Sequence, residues 1–205
     1  MTCHVQTPYH HQTILFGTAQ ILVSNASGQF CNVRAVIDTV TETSAMAQSL
    51  ANRLGISLYR STYQVIGISS KKMRVLGTTQ CNITSRFIGR PIDPVNPVLF
   101  NTIVERLPVS ALPSHDIDTQ CTPGADENYA IPSSIDMLLE VDVYRYIPRD
   151  PLSAYRVEQP FVLSTIFRSA LIGPVNGIGI SMTCGASLLS TVPPLDVLVQ
   201  RFWGN

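Results

Sequence analysis

The start of the chain alternates short apolar runs with turn-forming residues. Residues 15–23 (LFGTAQILV) mix β-branched and apolar side chains and lead into a turn at residues 24–28 (SNASG). Residues 30–37 (FCNVRAVI) then resume the apolar pattern. Two such runs around a glycine-containing turn are typical of a β-hairpin. The pattern therefore predicts a pair of antiparallel strands at the start of the fold.

A short helix is predicted after this hairpin. Thr43 or Ser44 is suited to cap its first turn, and Gly55 marks its end. Apolar residues at helical spacing would form its buried face, namely Met46, Leu50 and Leu54. The helix is thus expected to run from the capping residue to about Leu54.

Further strand-like segments follow, together with one long loop. Residues 108–134 are rich in Pro, Ser, Asp and Thr, which indicates a surface loop. Residues 135–143 are strongly apolar apart from Asp136, Glu140 and Asp142. Strands are expected at residues 63–68, 73–86, 98–107, 161–167 and 171–172. The expected fold class is mostly β, a small closed barrel with one or two short helices.

Length, composition and charge favour one globular domain with extra residues at both ends. Of the 205 residues, 45% are hydrophobic and 14% are charged, which is enough apolar material for a core. We expect a leader at 1–12, the domain at 13–176 and a loosely ordered tail at 177–205. Fourteen basic residues balance fourteen acidic ones, so charge gives no reason to expect nucleic acid as a partner. Apolar runs fall short of the roughly 18 residues of a membrane helix, so no membrane partner is expected.

The cysteines favour a reducing compartment. There are five of them, scattered along the chain without Cys-x-x-Cys spacing, which does not resemble a disulfide framework. Residues 1–12 are polar and contain three histidines, unlike a signal peptide. An intracellular, cytoplasmic location is therefore expected.

The segment with the clearest chemical content is residues 35–39 (AVIDT). An apolar strand delivers the carboxylate of Asp38 directly into a turn. Taken alone, this pattern has two interpretations. Asp38 either caps the helix that follows, since Asp is a good N-cap residue, or serves as a functional carboxylate.

Residues 35–39 are also similar to the strand and Asp-Thr/Ser-Gly signature of retropepsins. Several other segments, in the same order along the chain, resemble the aspartic peptidase domain of BEL/Pao-type retrotransposon polyproteins. These are residues 47–48 and 53–56 in the helix, 66–69 (IGIS) at a flap tip, 107–113 (LPVSALP), 135–144 (IDMLLEVDVY), and 164–167 (STIF) with 173–175 (GPV). The resemblance covers residues 13 to 176.

This resemblance implies a retropepsin-like barrel that hydrolyses peptide bonds of its own polyprotein. Only one Asp-Thr pair follows an apolar strand, so the family's catalytic pair of aspartates would require a homodimer with one Asp38 from each chain. Thr39 would form hydrogen bonds across that junction. Substrate would lie under a flap formed by Ile66, Gly67, Ile68 and Ser69. The resemblance implies no cofactor.

The chain departs from the family pattern mainly at glycines. Val40 stands where the catalytic triplet ends in Gly, and Glu140 replaces the Gly of the Leu-Leu-Gly motif. Arg168 and Ser169 replace a Gly-Trp pair, and Ser69 replaces a flap glycine. Glycine positions tolerate substitution least, so we expect a preserved fold with impaired catalysis. The alternative is a catalytically inactive peptidase-fold module for dimerisation or peptide binding.

The leader and two further aspartates are the remaining candidates for function. Cys3, His10 and His11 resemble the tail of a zinc knuckle, but Gln6 stands in place of its second cysteine. Zinc sites need about four nitrogen or sulfur ligands, so the leader is interpreted as a remnant and no metal is expected. Asp136 and Asp142 are candidates for a structural role rather than a catalytic one.

Overall fold

The computed structural model describes residues 12–38, 41–61, 65–66, 72–89, 91–92, 94–104, 106–112, 124–140, 143 and 160–176. Within them the chain is mostly β with one short helix, as expected for its fold class. The strands are β1 (Gln12–Phe16), β2 (Thr18–Ser24), β3 (Phe30–Ile37), β4 (Ala45–Ala47), β5 (Val65–Ile66), β6 (Lys72–Met73), β7 (Gly77–Thr78), β8 (Asn82–Thr84), β9 (Val98–Phe100), β10 (Met137–Leu139), β11 (Phe161–Thr165) and β12 (Arg168–Asn176). The helix is α1 (Gln48–Arg53).

The strands form three sheets. Seven of them make a curled sheet in the order β7-β9-β4-β10-β3-β2-β8, and β1-β12-β11 make a smaller sheet. Strands β5 and β6 form a separate two-stranded hairpin. The predicted hairpin of β2 and β3 is confirmed, with Ser24 paired to Phe30 across the turn.

The prediction of one continuous strand over residues 15–23 is wrong at Gly17. This residue has φ +53°, and a Cβ there would lie 2.9 Å from the side chain of Ile172. The left-handed conformation turns the chain, so β1 leaves the hairpin and pairs with β12 instead. The last residue of the predicted leader, Gln12, already belongs to this strand.

Residues 33–37 of β3 and all three residues of β10 are buried on both faces. Ala35, Ile37 and Leu139 face the main core, whereas Val36 and Leu138 pack in smaller clusters on the opposite face. All five side chains are less than 5% exposed. Burial on both faces explains the apolar run that ends each strand, residues 35–37 and 137–139.

The helix begins later than the sequence predicts. Residues 45–47 belong to β4, which pairs with both β10 and β9, so neither Thr43 nor Ser44 caps the helix. The N-cap is Ala47, which makes no side-chain hydrogen bond. Sheet hydrogen bonds outweigh the local helical pattern here. The predicted burial is confirmed, since Met46, Leu50 and Leu54 are all 0% exposed. Only Leu50 lies within the helix, however, because Met46 belongs to β4 and Leu54 is the C-cap.

The remaining predictions hold in part. The range 73–86 divides into three strands, and 98–107 contains only the three residues of β9. The predicted final pair of strands is confirmed as the β11–β12 hairpin. The described residues of the predicted surface loop contain no strand, but Asp126 within it is buried.

Three predictions on segments lie outside the described residues. These are the leader at 1–11, the tail at 177–205, and the flap tip at 67–70. Among the residues that are described, no helix is long and apolar enough to cross a membrane.

Candidate functional site

Asp38 lies at the end of the two central strands. Strands β3 and β10 run parallel, with Ile37 in register with Leu139. The ladder extends one step further, because the backbone N–H of Asp38 donates to the carbonyl oxygen of Leu139 at 2.9 Å. Asp38 itself is half-buried. Two core strands therefore hold the residue that the sequence singled out, and it does not cap the helix, which starts ten residues later.

Glu140 follows β10 as Asp38 follows β3. Neighbouring strands lie about 5 Å apart, so the backbones of these two residues are adjacent at one end of the sheet. The backbone N–H of Glu140 donates to Oγ of Ser44 at 3.1 Å, and Glu140 is half-buried. Glu140 also lines a pocket at this end of the sheet.

A pocket opens along the same end of the sheet. Strand order and direction bring together the ends of β7, β10 and β3 and the starts of β9 and β4. The cavity has a volume of about 580 Å³. Its described lining is polar and includes Glu42, Thr43, Tyr59, Thr79, Asn96 and Glu140. Asp38 does not line this pocket and lies one strand beyond it.

Thr41 is a buried polar residue that the sequence did not single out. Its side chain is 5% exposed, and its hydroxyl has no hydrogen-bond partner among the described residues. An unpaired buried hydroxyl is costly. Thr41 lies three residues after Asp38, and the intervening Thr39 and Val40 lie outside the described part of the chain.

The predicted flap is described only at its base. Val65 pairs with Met73 and Ile66 with Lys72, and the side chains of Val65 and Met73 pack on the cluster of Ala45, Val98 and Leu138. This hairpin therefore rests on the sheet that carries Asp38. The other predicted flap residues, Gly67, Ile68 and Ser69, lie outside the described residues.

Asp136 has a structural role, in line with its interpretation from sequence. Its carboxylate accepts hydrogen bonds from the backbone N–H of Arg34 at 3.3 Å and from Nη2 of Arg53 at 2.9 Å. It therefore ties β3 to the end of α1, directly before β10. Asp142 lies outside the described residues.

A buried ion pair supports β3 from the side, and the sequence analysis missed it. Nε of Arg34 donates to the carboxylate of Asp126 at 2.5 Å. The same guanidinium donates to the carbonyl oxygens of Leu107, Ile131 and Asn128. One signal was available, because a charged residue inside an apolar strand needs a buried partner.

Arg168 has a backbone conformation that favours glycine. It has φ +77°, the only positive φ of a non-glycine residue in the described chain. The turn is stabilised by Thr165, whose hydroxyl accepts the N–H of Phe167 and donates to the carbonyl of Arg168. The guanidinium of Arg168 stacks over the ring of Phe87, 3.8 Å from its centre.

Other nucleophiles and metal ligands contribute little to this site. Burial raises the pKa of the Cys81 thiol to about 12, which keeps it protonated and unreactive. Among the described residues, no three His, Cys, Asp or Glu side chains are grouped to bind a metal. The candidate Cys3, His10 and His11 lie outside those residues.

No protein-family model matches this chain, and no curated protein matches it either.

Proposed function

We propose that this chain is a retropepsin-like aspartic endopeptidase domain that acts as a homodimer and has impaired activity. One observation carries the proposal. Asp38 leaves a strand that is buried on both faces and is held by the carbonyl of Leu139 from a parallel neighbour. This arrangement supports the proposal, because the resemblance implies that the Leu-Leu segment packs behind the Asp-Thr turn.

Peptide hydrolysis needs two carboxylates that share one proton, since two like charges at about 3 Å cannot both ionise. One carboxylate accepts a proton from water while the other donates one to the substrate carbonyl. A single Asp38 per chain supplies half of this pair, so a two-fold axis must supply the other half. In the dimer, Thr39 supports the paired aspartates, and the flap from Ile66 to Ser69 covers the substrate.

The substrate we propose is an extended segment of the polyprotein that contains the domain, cleaved inside the cell. The closed retropepsin barrel belongs to the same proposal. The curled seven-stranded sheet and the hairpin packed on it support this architecture.

The impairment follows from side chains at glycine positions. Val40 is β-branched. Holding such a residue at backbone angles that only glycine adopts easily costs roughly 1–3 kcal/mol. Glu140 adds a bulky ionisable side chain next to the turn of Asp38, where glycine leaves space.

A second function has its own supporting observation. The framework is intact at two described positions where the resemblance implies glycine, because Arg168 has a positive φ and the N–H of Glu140 is satisfied by Ser44. Such a protein retains a fold for dimerisation or for binding extended peptide by strand addition without cleavage.

Reversion of the two substitutions near Asp38 separates these functions. The full chain, its Val40→Gly/Glu140→Gly variant and that variant with Asp38→Asn are compared for cleavage of a mixed peptide pool. Mass spectrometry detects the products, circular dichroism checks folding, and sedimentation gives the oligomeric state. We expect slow cleavage by the natural chain, clear cleavage by the revertant, and none once Asp38 is replaced.

Each alternative result has a definite meaning. Cleavage gained only on reversion favours the non-enzymatic module, as does a folded, dimeric revertant that does not cleave. If the natural chain cleaves as fast as the revertant and Asp38→Asn abolishes cleavage, only the claim of impaired activity is contradicted. Cleavage that survives Asp38→Asn contradicts the aspartic mechanism.

A further inference from the structure

The polar pocket at the end of the sheet has a size and a lining suited to one part of a peptide. Its volume of about 580 Å³ lies within the range of roughly 300–1,000 Å³ that ligand pockets occupy. We propose that it is a subsite for a basic side chain, lysine or arginine, of a bound extended peptide. This inference rests on the proposed function, because it assumes that peptide lies across the turn of Asp38.

The charges of the lining favour a cation. Glu42 is exposed on one wall, Glu140 is half-buried on another, and no lysine or arginine is among the described lining residues. Glu140 is also engaged in a further contact, so Glu42 carries the argument. A carboxylate on an open pocket wall attracts a cation by an amount that salt reduces.

The neutral lining residues add donors and acceptors around that charge. Tyr59 is 63% exposed and presents an aromatic face, which binds ammonium and guanidinium groups favourably. Asn96 is exposed, and its side-chain oxygen is an acceptor suited to either cation. Long aliphatic stems with a charged end fit such a pocket, since the stem packs while the charge reaches the wall.

The position of the pocket selects a peptide side chain over a free ion. Glu140 follows β10, the strand next to β3, so the near wall of the pocket is about 5 Å from the backbone of Asp38. The pocket then extends past β4 and β9 to Thr79 at the end of β7. A peptide held at Asp38 therefore has a neighbouring side chain within reach of this cavity. A metal ion is disfavoured, because the described residues contain no group of three ligands.

The test uses the full chain with Asp38→Asn, so that peptides bind without cleavage. A randomised synthetic peptide library is sorted for binding, and the selected sequences are determined by mass spectrometry. The best binder is then remade with norleucine in place of its basic residue, which keeps the aliphatic stem and removes the charge. Affinities are measured by fluorescence anisotropy at low and high salt. Glu42→Gln is compared with Glu127→Gln, a matched exposed carboxylate outside the pocket.

We expect lysine or arginine to be enriched at one peptide position. Norleucine and Glu42→Gln should each weaken binding about threefold to fivefold, as is typical of an exposed ion pair, and the two effects should not add. High salt should abolish the difference in affinity between the basic peptide and its norleucine version. Glu127→Gln should leave the affinity for the basic peptide unchanged. Binding without basic enrichment, or enrichment insensitive to Glu42→Gln, overturns the subsite and leaves the proposed function standing. A folded protein that binds no peptide also overturns it, and cleavage by the revertant then decides the function separately.

Discussion

The side chains of Arg34 and Asp126 form an ion pair in which both partners are almost fully buried. Their side chains are 4% and 1% exposed, and Nε of Arg34 lies 2.5 Å from the carboxylate. Asp126 also accepts hydrogen bonds from the side chain of Gln20 and the backbone N–H of Asn128. The pair thereby connects β2 and β3 to the loop that leads towards β10.

Removal of one partner should strongly destabilise the protein. We expect Asp126→Ala to lower the free energy of unfolding by about 3–5 kcal/mol, because it leaves the guanidinium of Arg34 buried without its counter-charge. Chemical denaturation followed by circular dichroism measures this. The matched control is Arg53→Ala, which breaks the more exposed pair with Asp136 and should cost less than about 1 kcal/mol. Similar losses in the two variants would show that burial does not set the strength of the Arg34 pair.

Arg168 should carry backbone strain that glycine relieves. Arg168→Gly and Arg168→Ala both lose the stacking on Phe87, so their difference isolates the cost of φ +77° for a residue with a Cβ. We expect the glycine variant to be more stable by about 1 kcal/mol in thermal or chemical unfolding. The same pair of substitutions at Ser49, exposed in α1, should show the opposite order by about 1 kcal/mol. Equal stability of the two Arg168 variants would contradict the strain.

Local features of the fold were predictable, but the sheet partners were not. The β2–β3 hairpin and the buried face of α1 follow from short-range patterns around a turn and a helical period. The pairing of β3 with β10 joins segments about a hundred residues apart, and no periodicity encodes it. The helix start was predicted too early because β4 takes residues 45–47 into the sheet.

The same distinction applies to the candidate site. Asp38 was identifiable because a carboxylate ends an apolar strand. The pocket draws its walls from the ends of several strands that are distant in sequence, so Glu42 and Tyr59 carried no local signal. Asp126 lies in a polar segment where burial is not expected, and only its partner in the apolar run of β3 pointed to it.

Removal of two hydroxyls, those of Thr41 and Ser44, should change the free energy of unfolding in opposite directions. Thr41→Val keeps the shape and removes a buried hydroxyl that has no partner among the described residues, so it should raise the free energy of unfolding by about 1 kcal/mol. Ser44→Ala leaves the N–H of Glu140 unpaired and should lower it by about 1–3 kcal/mol. Urea denaturation at low protein concentration measures both. A loss of stability in Thr41→Val would mean that this hydroxyl is bonded in solution, for example to a second copy of the chain.

Cys81 should make the protein less stable as the solution becomes alkaline. Burial raises the pKa of its thiol from 9.0 to about 12, so above pH 9 the unfolded chain releases this proton while the folded chain retains it. The unfolded state then binds fewer protons, and stability falls with rising pH by up to about 1.4 kcal/mol per pH unit. The contribution is fully present below pH 9 and is lost between 9.0 and about 12.

Urea denaturation in the presence of reductant, at pH values from about 8 to about 10, measures this slope. The upper limit is needed because burial also raises the pKa of Tyr129, which adds a fall of the same sign at higher pH. Cys81→Ala and Cys81→Val pack differently and will differ in absolute stability. Both lack the thiol, so the free energy of unfolding should fall with pH equally in the two variants and less steeply than in the natural chain. A natural chain with the slope of these variants would mean that the Cys81 thiol ionises as easily in the folded protein as in the unfolded one.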